Sequence, residues 1–184
     1  KHAELIRISI NRLDDFIKNI LSYSRNNRTG LEIEQITVNE MVLEIVDSLQ
    51  RMKEAKGIRY EIDIKEQKPF YTDKLRFTTI LKNLISNAIK YHKKEEHDRF
   101  VKIFGYSDHE NLHFSIFDNG IGIDPAYHQK IFEMFFRLSG KNGSGIGLYI
   151  VKDAIEILQG SIEVLSEKGA GTKFNITLKN LKSC

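Results

Sequence analysis

Apolar residues recur along the first two dozen positions in steps of four, three, four and three: Ile6, Ile10, Leu13, Ile17 and Ile20. That is a heptad seam, and it predicts a helix over Leu5–Ser24 whose apolar stripe is covered either by partner helices or by docking on the domain that follows. Ser22 to Gly30 then reads as a helix end and polar linker. Beyond it the period shortens to two over Leu31–Ile36, which predicts a strand. Thr37 stands three residues before Glu40, the spacing of a capping box, and Val42, Ile45, Val46, Leu49 and Met52 form the stripe of the helix behind it. Gly57 is expected to end that helix, and Ile58, Tyr60, Ile62 and Ile64 alternate as a strand.

A further helix opens at Thr72 or Asp73 and runs through Leu75, Ile80, Leu81, Leu84, Ile85 and Ala88 to Lys90. Strands over Phe100–Tyr106 and Leu112–Phe117 predict a hairpin turning at Asp108–Asn111. Asp124–Asn142 shows no period, Gly145–Leu158 reads as a helix, and Ser161–Ser166 and Lys173–Leu178 read as two last strands. Mixed runs of this kind imply an α+β layer with one sheet and helices on one of its faces.

Composition narrows the class without deciding it. The 184 residues suffice for one medium domain plus an added element. Lysine and arginine number 28 against 25 aspartate and glutamate, a surplus too small to point to nucleic acid. The single cysteine, Cys184, allows no disulfide framework, which fits a reducing, cytoplasmic setting. No apolar run approaches the length that spans a bilayer. The chain begins with Lys1, so it is expected to be part of a longer protein whose upstream portion holds a sensor or a membrane anchor.

Four motifs in fixed order carry the chemistry. Asn83, Asn87 and Lys90 stand at i, i+4 and i+7 and project from one helix face, with Tyr91 following. An amide oxygen from Asn87 suits Mg²⁺, which takes few protein ligands and shares itself with phosphates, and Lys90 can neutralise phosphate charge. Asp118 ends an apolar strand and precedes Gly120 and Gly122; its carboxylate can accept from the amine of adenine, while the glycines let backbone approach the base. Alone, that motif reads as a turn. Phe132, Phe135 and Phe136 sit in the aperiodic stretch, where they either anchor a loop or belong to a moving cover, with Arg137 available to phosphate or to a partner's acid. Gly143, Gly145 and Gly147 open a helix whose first N–H groups and dipole attract phosphate. Together they describe an ATP site. The remaining histidines, His92, His97, His109, His113 and His128, have no metal-ligand spacing.

This set resembles the ATP-binding catalytic domain of two-component sensor histidine kinases, whose N, G1, F and G2 boxes follow this order. Gly169-Ala-Gly171-Thr172-x-Phe174 is similar to that family's last glycine box, and Leu13–Arg28 to the second helix of its dimerisation and phosphotransfer hairpin. The resemblance implies the Bergerat fold, a mixed sheet with helices on one face, preceded here by a long helix, and a lid over Asp124–Ser144. It divides the chain into 1–30, part of the hairpin and linker, and 31–184, the catalytic domain. Asn87 becomes the Mg²⁺ ligand, Asn83 its neighbour by the phosphates, Lys90 a phosphate contact and Tyr91 a neighbour of adenine. Asp118, Gly120, Gly122 and Ile123 form the base wall, with Thr172 beside it. Phe132, Arg137, Gly143, Ser144, Gly145, Ile146, Gly147 and Leu148 come from the lid and its far hinge. Asn83 stands where ATP-hydrolysing relatives of this fold carry a glutamate base, which favours phosphoryl transfer over hydrolysis.

The family's phosphoacceptor pattern, a histidine before an acid and a proline, is missing: the prolines are Pro69 and Pro125, and His2 precedes Ala3-Glu4-Leu5. The acceptor is therefore expected upstream of Lys1. The implied partners are that upstream sensor and acceptor helix, a response regulator receiver domain, and a second copy joined through the N-terminal helix; nucleic acid is not among them. Two other readings stand beside this one: a non-enzymatic ATP-sensing or dimerising scaffold, and a protein-serine kinase of the anti-sigma type.

Overall fold

The computed structural model describes residues 30–93, 97–138 and 144–182, together with Ile10, Ile17 and Ile20. These three isoleucines are helical, and Ile10 and Ile17 are exposed. The other seam positions, Ile6 and Leu13, lie outside the described residues, as do most of the linker and Cys184.

Strand β1 (Ile33–Ile36) leads into helix α1 (Val38–Gln50), followed by strands β2 (Ile58–Glu66) and β3 (Phe70–Asp73). Helix α2 (Lys74–Lys90), strands β4 (Arg99–Ser107) and β5 (Asn111–Asp118), helix α3 (Gly147–Ile157), and strands β6 (Ser161–Glu167) and β7 (Gly171–Lys179) complete the order. Five strands form one sheet in the order β2-β4-β5-β7-β6. It is mixed: β2 runs parallel to β4, and the other neighbours are antiparallel. The connection from β2 to β4 passes through α2, the long crossover that parallel pairing requires.

One face of the sheet is dry. Val101 and Ile103 of β4, Leu112, Phe114 and Ile116 of β5, and Phe174, Ile176 and Leu178 of β7 are all buried. The helices cover them with Phe77, Ile80, Leu81, Leu84 and Ile85 of α2 and Ile150, Val151, Ala154 and Ile155 of α3. The period of two that buries Leu112, Phe114 and Ile116 also turns Asp118, the next member of the row, onto the same buried face.

Four sequence expectations change. The layer is not a single sheet: β1 and β3 pair as a separate antiparallel ribbon, and β3, only four residues long and directly after Pro69, is too short to show a period. The first strand begins at Ile33 rather than Leu31. Helix α1 stops at Gln50, before a short 3₁₀ turn over Lys53–Ala55, so Gly57 (φ 78°) turns the chain into β2 instead of ending the helix. Thr37 is the N-cap of α1 by position, yet its side chain caps nothing. The carboxylate of Glu66, at the end of β2, accepts from the Val38 and Asn39 N–H groups, each at 3.0 Å.

At the start of α2, Asp73 accepts from the Arg76 N–H at 2.9 Å and pairs with the Arg76 guanidinium at 2.5 Å, both side chains being buried. Asp73 also accepts from the Glu32 N–H at 3.1 Å, and Arg76 donates to the Gly30 carbonyl at 3.4 Å. This buried pair fastens the segment leaving the linker to the helix that carries Asn83 and Asn87.

Candidate nucleotide-binding site

A cavity of about 830 Å³ opens between α2, the end of β5 and the start of α3. That is within the range of small-molecule sites. The face of α2 that turns away from the sheet supplies Asn83, Asn87 and Lys90 to its wall. The Asn83 amide donates to the Thr79 carbonyl at 2.8 Å, which orients its Oδ1 towards α3. A Cβ on Gly147 would stand 2.8 Å from that oxygen, so a larger residue there would force Asn83 or the start of α3 to shift. The side chains of Asn87 and Lys90 have no hydrogen-bond or ion-pair partner among the described residues.

Asp118 lies on the wall across from this helix and is 8% exposed. Burial pushes its carboxyl up to about 7, against the opposing pull of the Gly120 and Thr172 N–H groups. The Gly120 N–H donates to Asp118 Oδ1 at 2.8 Å. Burial likewise raises the Tyr91 phenol, an effect that the charge of Arg137 counters. Asp118 is the only carboxylate among the described residues of the wall.

The loop after Asp118 is held from three sides. Ile121 N–H donates to the Tyr91 carbonyl at the end of α2 at 3.0 Å, and the Asn119 side chain bridges the Phe100 N–H and the Asp98 carbonyl. From the β6–β7 turn, Gly169 N–H donates to the Ile121 carbonyl at 2.7 Å, and the Ser166 hydroxyl accepts from the Ile123 N–H at 2.8 Å. Gly122 has φ 67°, and a Cβ there would lie 1.9 Å from the Glu167 carbonyl oxygen. A left-handed backbone and a strand turn pressed against it leave room for glycine alone.

At the opposite end, Gly145 and Gly147 lead into α3, whose first turn has no side-chain cap. The Gly147 and Leu148 N–H groups at its start and the helix dipole make this the anion-seeking end of the cavity. Phe135 N–H donates to the Gly145 carbonyl at 2.9 Å, so the aperiodic segment is closed at its base.

The structure brings Asn83, Asn87, Lys90, Tyr91, Asp118, Gly122, Ile123, Arg137, Ser144, Gly145, Gly147, Leu148 and Thr172 to this one cavity. Three candidates stand behind the wall instead. Gly120 packs under the Tyr91 carbonyl, where a Cβ would approach to 2.5 Å. Ile146 is fully buried in the core. Phe132 packs edge-on against Phe174, with ring centres 6.4 Å apart. Gly143 lies outside the described residues. The sequence reading missed Ser48 and Leu49 at the end of α1, Met52 just after it, and Phe174, all of which line the cavity, and left Phe136, which lines it too, between anchor and cover. It also missed Thr79 and Ser86, although both fall on the Asn83 face by the helical period.

A divalent cation fits the donor set through an amide oxygen of the α2 face. Among the described residues no three acids, histidines or cysteines converge. An oxygen-seeking ion would therefore rest on the unengaged Asn87 amide, with phosphates and water completing its shell.

Comparison with known proteins agrees with this geometry. Residues 72–182 match the histidine kinase-, DNA gyrase B- and HSP90-like ATPase family. Cyanobacterial phytochrome B of a Nostoc species is 36% identical over 98% of the chain and 24% of its own length. The methanogenesis regulatory histidine kinase FilI of Methanothrix harundinacea is 32% identical over 95% of the chain and 20% of its own. The chain thus spans a fifth to a quarter of these relatives. Full-length ShkA, solved in complex with AMPPNP, superposes over all of the chain and 39% of its own with a TM-score of 0.79 at 22% identity, a likeness of fold. Fold, cavity and relatives together make this chain a member of the histidine kinase-, DNA gyrase B- and HSP90-like ATPase family, with the catalytic domain of the histidine kinase type.

Proposed function

We propose that the chain binds Mg-ATP in this cavity and transfers the γ-phosphate to a histidine on a helix outside the chain, for onward passage to a response regulator receiver domain. The observation that carries this reading is the polarity of the cavity. A buried acceptor, Asp118, lies on the wall, and Lys90 and the uncapped start of α3, which line the same cavity, supply positive potential. An adenine amine suits the first and a polyphosphate the second.

In this reading Asp118 accepts from the adenine amine while Tyr91, Ile121 and Ile123 enclose the base. Lys90 and the Gly147 and Leu148 N–H groups hold the phosphate chain, and Asn87 supplies an amide oxygen to Mg²⁺. When bound, the ion neutralises charge that develops on the phosphate oxygens. The incoming imidazole nitrogen forms the new P–N bond as the bond to the β-phosphate oxygen breaks and ADP departs. No acidic side chain occurs on α2, and Asn83 is turned to Thr79 and Gly147, so the phosphate end lacks a base that activates water. This favours transfer over hydrolysis.

The test is phosphotransfer from labelled ATP to an added two-helix hairpin that carries the acceptor histidine. Asn87→Ala should lower the initial rate by at least about a hundredfold. A variant that labels the hairpin as fast as wild type would remove the assigned role of Asn87.

A further inference from the structure

Ser166 belongs to none of the four motifs, yet its hydroxyl occupies the junction behind the base wall. It accepts from the Ile123 N–H at 2.8 Å, donates to the Gly171 carbonyl at 2.6 Å, and lies 3.0 Å from Thr172 Oγ1. Ser166 and Thr172 are register partners across β6 and β7, and Thr172 is the register partner of Asp118 across β7 and β5. The three residues therefore form one row across the sheet, with Asp118 and Thr172 on the cavity wall.

A serine hydroxyl has one proton and two acceptor sites. The Gly171 carbonyl can only accept, so it takes the proton of Ser166. The Ile123 N–H takes one of the two acceptor sites, and the remaining contact is then satisfied in a single way: Thr172 donates and Ser166 accepts. Thr172 Oγ1 has no second proton, so towards the cavity it offers lone pairs alone. Beside it stands Asp118, which above pH 7 is a carboxylate and also a pure acceptor.

We infer that Ser166 is a positioning residue for base selection: by holding the Thr172 hydroxyl as an acceptor, it makes the wall at Asp118 complementary to a 6-amino purine and hostile to a 6-keto purine. At the 6-position an amine brings N–H donors to the two acceptors, whereas a keto oxygen in the same place would meet their lone pairs. This rests on the reading of the cavity as an ATP site and adds to it the residue that sets base discrimination. Without Ser166, Thr172 can turn its proton towards the cavity and accommodate a keto oxygen.

The experiment is calorimetric titration at pH 8 with ADP and with IDP, which differ at the 6-position of the base. Wild type should favour ADP, and Ser166→Ala should lower the ADP-to-IDP affinity ratio by about tenfold. Ser166→Thr, which keeps the hydroxyl, should restore it. In a Thr172→Val background the Ser166→Ala change should leave the ratio unaltered, since the group it acts through is gone. Equal weakening of ADP and IDP in Ser166→Ala would overturn the proposal and leave Ser166 as a fastener of the Ile123 loop. So would an undiminished effect in the Thr172→Val background. Wild type that binds neither nucleotide would overturn the ATP reading and this inference together, whereas an intact ADP preference in Ser166→Ala would overturn this inference alone.

Discussion

A carboxylate that belongs to the dry row of β5 carries a desolvation cost that its backbone N–H donors do not offset. Asp118 titrates near 7 in the folded chain against 3.8 for the ordinary group. Between those values the folded state keeps a proton that the unfolded state has lost, so stability falls as pH rises from about 4 to about 7, and changes no further above it. The full shift corresponds to about 4 kcal/mol. Asp118→Asn cannot ionise. Without nucleotide it should therefore unfold at higher denaturant than wild type at pH 8, and the gap should close as pH approaches 4. The same variant should bind ATP more weakly, because the ionised acceptor is lost. Equal wild-type and variant stability at both pH values would contradict the burial argument. A strand-ending aspartate followed by glycine was legible as a candidate acceptor. Its burial was not, since that depends on α2 closing over the row.

Elements are where local patterns proved least complete. The boundaries of α2 were readable because its N-cap, Asp73, and its apolar stripe lie within the helix and its first flank. The start of α1 was readable too, but the cap comes from Glu66, distant in sequence, which no local motif can announce. Glu66→Ala should destabilise the domain by about 1 kcal/mol in denaturant titration, with Thr37→Ala nearly neutral. A large loss in Thr37→Ala would restore the capping box. The contact of α2 with α3 has the same character: Gly147 is legible as a phosphate-loop glycine, whereas the Asn83 oxygen behind it is not. Gly147→Ala should push the start of α3 off Asn83 and weaken ATP binding by about tenfold in a titration, with the fold retained. Unchanged affinity would mean the helices adjust around a methyl group.

At the scale of the whole molecule, one buried ion pair joins the entering segment to the nucleotide helix. Arg76→Ala would leave Asp73 charged and buried without its partner, at about 3 kcal/mol measured by denaturation. A loss below about 1 kcal/mol would show that Asp73 does not depend on that partner. The α+β class and the helices on one face followed from the order of periods along the chain, and the mixed sheet from the family resemblance. The strand order and the β1–β3 ribbon depended on pairings too distant or too short for a period to reveal. Phe132 and Ile146 were placed at the site by their neighbours in sequence, and packing put them behind its wall.

The central claim is that a single cavity takes adenine at Asp118 and phosphate at Lys90 and α3. Calorimetric titration with AMPPNP, with and without Mg²⁺, on wild type and Asp118→Ala addresses it most directly. Saturable binding that Mg²⁺ strengthens and Asp118→Ala abolishes is the expected result. Wild type that shows no saturable binding, or an Asp118→Ala variant that binds as tightly, would contradict it.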